Sequence, residues 1–178
     1  MPDALKEEIL LRLLSVLPEF ANGRLGNFSR ILGGADTTIH AFDLISQSGV
    51  VPMVVRVYRP GSIDHARREY TVMERLHSAG ISVPKPYVFV QDSTAIGETY
   101  LVMERIDGPL LSDALLASQG TLRFDRLLKE YVKDLAALHA LDAGLFVSGL
   151  SSSCCQSPLT CPRRAGATEE HHQRAQHH

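Results

Sequence analysis

Four groups of residues in this 178-residue chain are of types that handle phosphate or a planar base. Gly33 and Gly34, followed by Asp36 and Thr37, sit between two runs of strand-forming residues. A phosphate chain needs several backbone N–H donors pointing one way with no side chain in the path. Adjacent glycines between paired strands supply them, and Asp36 and Thr37 would add polar contacts at the tip. The same glycine pair also closes ordinary hairpins, so the turn alone selects no function. Arg56 stands inside V-V-P-M-V-V-R-V-Y (50–58). Two-residue alternation puts Val51, Met53, Val55 and Val57 on one face of that strand and Val54, Arg56 and Tyr58 on the other. A cation there is costly under a covered sheet face unless it has a partner, and is an ordinary surface arginine on an open one. Glu69, on the next helical segment, borders a stripe of Ala66, Val72, Met73 and Leu76. It can meet Arg56 across the sheet, or pair with Arg68 or Arg75 at the surface. Finally, L-V-M-E-R-I-D-G (101–108) is an apolar run that ends in a polar turn. An adenine ring needs an apolar slot and free backbone N–H and C=O groups on an extended segment. Met103 would sit near such a slot, and Glu104 to Ile106 would offer the backbone contacts. A buried strand running into a loop has the same pattern.

The elements that must position these groups follow from periodicity and punctuation. Leu5, Ile9, Leu13 and Leu17 predict a helix over 4–18 that Pro18 ends, with Lys6, Glu7, Glu8 and Arg12 mostly off the apolar stripe. Residues 28–32, 38–44 and 50–58 read as strands, and Pro60-Gly61 closes the third. A helix over 62–79 is capped by Ser62 or Asp64 and stopped by Gly80. The rigid link Val83-Pro84-Lys85-Pro86 leads to strands at 87–91 and 99–104, with Gly97 between them. Five strands with one internal helix predict an α+β fold, a mostly antiparallel sheet with a helix packed on it. A short helix at 112–118 and a longer one at 125–140 follow; Leu127, Leu128, Tyr131, Leu135, Leu138 and His139 line one broad face of the latter.

The chain changes character near residue 148. All three cysteines, Cys154, Cys155 and Cys161, and His171, His172, His177 and His178 among the eight histidines lie beyond it. That segment has almost no large apolar residues and no period, so it cannot bury enough surface to offset chain entropy. Its cysteines and histidines are zinc-ligand types, but their spacing fits none of the paired patterns. A shift of reading frame near residue 148 would produce the same break. The net charge of −2 gives no general pull toward nucleic acid or an anionic membrane. No apolar run is long enough to cross a bilayer, and the N-terminus lacks the order of a signal peptide, so a cytoplasmic protein is the expectation.

The strings R-I-L-G-G-A-D-T-T-I-H-A-F, V-V-R-V-Y-R-P-G, A-R-R-E-Y-T-V-M-E-R-L-H-S-A-G-I-S-V-P-K-P and Y-L-V-M-E-R-I-D-G, in this order, resemble the aminoglycoside phosphotransferase-like family of small-molecule kinases. L-A-A-L-H-A-L-D (135–142) looks like the first long helix of that family's second lobe. The resemblance spans about residues 5–147. It implies a protein-kinase-like N-terminal lobe over 1–108 with an N-terminal helix and hinge, and the start of a helical C-terminal lobe over 109–147; composition makes 148–178 a disordered or aberrant tail. The resemblance also implies ATP as the nucleotide, a small-molecule hydroxyl as acceptor, Arg56 on the phosphates and Glu69 as its partner. The family's catalytic loop, an H-G-D-type string, and its magnesium-holding asparagine and aspartate do not occur here; His139–Asp142 reads as helix packing and a cap. The expectation is therefore a nucleotide-binding lobe that is inactive alone. Its alternatives are a non-catalytic nucleotide-binding or interaction module and a non-functional truncated fragment. Acceptor choice in that family sits mainly in the second lobe, which leaves antibiotics, sugars, choline-like compounds and amino alcohols open.

Overall fold

The computed structural model describes residues 3–31, 37–142 and 144. Helix α1 (Asp3–Val16) leads through a single 3-10 turn, Pro18–Phe20, into strands β1 (Arg24–Ile31), β2 (Thr37–Ser46) and β3 (Gly49–Tyr58). Helix α2 (Ile63–Ser78) then precedes β4 (Pro86–Val90) and β5 (Tyr100–Glu104), and α3 (Leu111–Ala117) and α4 (Leu122–His139) follow. The five strands form one sheet in the order β1-β2-β3-β5-β4, and every pairing is antiparallel. The predicted elements are all present, with ends displaced by a few residues.

Both faces of the sheet are covered. Leu5, Ile9 and Leu13 of α1 pack with Phe42, Leu44, Met53, Val55, Tyr100 and Val102 on one face. Ala66 of α2, with Tyr70 and Met73 beside it, packs with Tyr58, Leu101 and Met103 on the other. The alternation along β3 therefore sorts its residues as the sequence predicts: Met53, Val55 and Val57 face α1, while Val54 and Tyr58 face α2.

Strand β1 starts four residues earlier than its apolar run suggests. Gly26 pairs with Asp43 but Ser29 with Ala41, so β1 carries one extra residue. This bulge is built on Asn27, in the left-handed region at φ 55°. The Asn27 side-chain amide donates to Asp43 Oδ2 at 2.6 Å, which supports that conformation. The bulge breaks the two-residue period that would have revealed the strand's first four residues.

Glu8 departs from the expectation for α1. It is not off the stripe but 9% exposed, within the buried face. Ser93 Oγ, Thr94 Oγ1 and the Ala95 N–H donate to its Oε2 at 2.7, 3.3 and 3.0 Å, and the Tyr100 hydroxyl donates to Oε1 at 3.2 Å. Burial alone would raise its carboxyl pKa; these donors outweigh burial and hold it below the ordinary glutamate value. One carboxylate thus joins the first helix to the loop between β4 and β5. Helices α3 and α4 pack on each other, and neither buries a residue.

Candidate functional site

Strand β3 and helix α2 are joined by a short turn, which folds the helix back over the strand it follows. Arg56 and Tyr58 leave the same face of β3, and Glu69 descends from α2 to meet both. Arg56 Nη1 donates to Glu69 Oε1. The Tyr58 hydroxyl donates to Glu69 Oε2 at 2.8 Å. Glu69 thus pairs with Arg56, and neither side chain is fully exposed. Burial first, and then the hydrogen bond to Glu69, push the Tyr58 phenol well above its ordinary pKa, so it remains a donor at neutral pH. Among the described residues Arg56 Nε–H is buried without a hydrogen-bond partner. A buried orphan donor is costly and marks a place where an acceptor is wanted.

Val54 and Met103 are cross-strand partners on this same face, as are Arg56 and Leu101. Met103 is buried in the cluster under α2. It therefore forms apolar surface along the strand from the ion pair. The backbone leaves the sheet just beyond it. The Glu104 N–H donates to Lys85 O at 2.8 Å, and the Glu104 carboxylate accepts from the Lys85 N–H at 3.2 Å. The Glu104 side chain is thereby tied to the link before β4. Ile106 is 64% exposed, and its N–H makes no backbone hydrogen bond among the described residues. Thr37 opens β2 opposite Tyr58, which places it at the Arg56 end of the sheet. Gly33, Gly34 and Asp36 lie outside the described residues.

Sequence reasoning missed a second polar group. Arg105 Nη1 donates to Asp43 Oδ1 at 3.1 Å and to the Phe42 carbonyl at 3.3 Å, and its Nε donates to Asp107 Oδ1 at 2.9 Å. Asp43 also holds Asn27, so the bulge of β1 and the segment after β5 are fastened through one buried carboxylate. The signal was available. Asp43 sits in F-D-L-I, a charge within a strand, and poses the same question as Arg56.

Among the described residues no group of three His, Cys, Asp or Glu is placed to hold a metal ion, and no helix is long and apolar enough to cross a membrane. An open cavity of about 300 Å³ beside α3 and the start of α4, lined in part by Ala114, Ser118 and Thr121, includes none of the residues above. It holds no buried charge, and we assign it no role.

A five-stranded antiparallel sheet, with an arginine on the third strand paired to a glutamate on the following helix, is the N-terminal half of a kinase-like fold. A family model described as the phosphotransferase enzyme family matches residues 28–170, and the chain belongs to that family. Among curated proteins, acyl-CoA dehydrogenase family member 11 of Pongo abelii and of Homo sapiens are each 31% identical over 100 residues. The Gallus gallus protein of the same name is 32% identical over the same length. These alignments cover 54% of this chain and 13% of each relative, so the chain corresponds to a small part of those proteins. A solved structure from Ralstonia eutropha JMP134, described provisionally as an aminoglycoside phosphotransferase, superposes with a TM-score of 0.58 at 24% identity. That superposition covers 83% of this chain and 40% of the other, and it establishes the kinase-like fold.

Proposed function

We propose that this chain is the nucleotide-binding lobe of an ATP-dependent phosphotransferase whose acceptor is a hydroxyl of a small molecule. The observation that carries the reading is the Arg56–Glu69 pair, set between strand and helix on the face that also holds Val54 and Met103. Bound ATP supplies the phosphoryl group to be transferred. The residues of this chain bind and orient it. Val54 and Met103 give the base an apolar slot. The Ile106 N–H offers a backbone donor at the slot's edge. Arg56, fixed by Glu69, offers positive charge to the phosphates, and Thr37 stands at the same end of the sheet. The sequence carries no H-G-D-type string to orient an acceptor hydroxyl, so the reading is one of nucleotide positioning without turnover by this chain alone.

A thermal-shift titration with Mg-ATP tests it. The wild-type melting temperature rises with ATP, and the rise disappears in Arg56→Ala. No rise at saturating ATP would sink the nucleotide reading. Steady ATP hydrolysis that tracks the purified protein and vanishes in Arg56→Ala would sink the expectation of inactivity.

A second reading is favoured by one observation. Leu128, Tyr131, Val132, Leu135 and Leu138 of α4 are all exposed. A module that joins a separate chain supplying the second lobe would cover this face. A stable complex on copurification that is lost in Leu135→Glu would support it.

A further inference from the structure

Tyr58 shares Glu69 with Arg56 and has no role in the reading above. It follows Arg56 by two positions on β3, so the two side chains leave the same face and reach the same carboxylate. Each takes a different oxygen: Arg56 takes Oε1 and the Tyr58 hydroxyl takes Oε2. Tyr58 is 1% exposed, so its ring cannot swing away without leaving the core. His65, also near Oε2, stands at 3.9 Å from it on the exposed side of α2, its ring inclined at 66° to that of Tyr58.

An unrestrained carboxylate grips a guanidinium with both oxygens, through two parallel hydrogen bonds. Here one oxygen is occupied, and Glu69 contacts the guanidinium through Nη1 alone. The Nε–H is buried and has no partner among the described residues. A guanidinium anchored at one nitrogen keeps its position and still has donors to give. We propose that Tyr58 is a positioning residue that holds Glu69 in one-oxygen contact with Arg56, leaving donors of the guanidinium for a phosphoryl oxygen of the bound nucleotide. This role rests on the nucleotide reading above. Removing the hydroxyl frees Oε2 to compete for those donors, so the cost falls on the phosphates and not on the base.

The test compares ATP and adenosine, both with magnesium, on the full chain and on Tyr58→Phe by isothermal titration. The variant binds adenosine as the wild type does and binds ATP about tenfold more weakly, the size of one charge-assisted hydrogen bond. Equal weakening of both ligands would make Tyr58 merely structural, and no weakening of either would remove its role. The ¹⁵N–¹H signal of Arg56 Nε gives a ligand-free measurement. It shifts in Tyr58→Phe as the freed oxygen reaches the guanidinium, and an unmoved signal overturns the proposal. If Tyr58→Phe fails to fold, Glu69→Gln replaces it, expected to lose the ATP increment while adenosine binding stays; loss of neither overturns the proposal. A wild-type chain that binds ATP while the variant loses nothing refutes the Tyr58 role alone. A wild-type chain that binds neither ligand refutes the nucleotide reading, and this role with it.

Discussion

Helices α1 and α4 carry comparable apolar content but have opposite fates. Leu5, Ile9 and Leu13 of α1 are buried against the sheet, and even Glu8 is drawn into the interface. Helix α4 is the more regularly amphipathic of the two, yet none of its residues is buried. The quality of an amphipathic pattern therefore says which face wants covering, not whether anything covers it. On α1 the opposite surface is a sheet, and a polar residue in the contact is tolerated because four donors converge on it. Helix α4 packs instead on the short α3.

The sharpest way to break this contrast is to cut one side chain from each region. Phe42→Ala, under α1 and stacked on Phe28, should cost about 3–5 kcal/mol in urea unfolding. A loss below about 1 kcal/mol would mean that the α1 face is not the core. Next in size is Asn27→Ala, which puts a β-carbon-bearing residue without a supporting side chain at φ 55° and frees one Asp43 oxygen. It should cost roughly 2 kcal/mol, and Asn27→Gly should recover about half of that, because glycine restores the backbone but not the hydrogen bond.

Glu8→Gln sharpens the comparison by pH. The folded Glu8 pKa lies below its ordinary value, so its contribution is complete above the unfolded pKa and is lost as pH falls through the folded one. At pH 7 the variant should be about 1–2 kcal/mol less stable, with the gap to wild type closing in strongly acidic solution. A gap that stays constant from pH 7 to about pH 2 would show that the carboxylate charge is not what the loop holds. The smallest effect belongs to α4. Leu135→Ala should change unfolding free energy by less than about 0.5 kcal/mol, while Leu135→Glu should reduce self-association in sedimentation. A large loss from Leu135→Ala would mean that α4 is covered in solution.

Legibility followed distance along the chain. Arg56 and Glu69 are 13 positions apart, joined by one strand, one turn and half a helix. Strand alternation fixed the face of the first, helical spacing fixed the side of the second, and the short connection left little freedom in how they met. Asp43 and Arg105 are 62 positions apart, and Glu8 reaches Tyr100 across 92. No local period links such pairs, because they meet only after five strands have taken their order in the sheet. Asn27 hid the start of β1 for a different reason, since a left-handed residue breaks the alternation by which strands are recognised.

The sequence by itself determined the order of elements and the two faces of β3, and it offered a helical anion to a strand cation, because each follows from backbone repeat geometry over short spans. Only the tertiary structure decided that Glu8 is buried, that Tyr58 takes the second oxygen of Glu69, that Arg105 fastens to Asp43, and that α4 is bare. Those facts depend on what stands opposite a residue, and the chain's own periodicity carries no record of that.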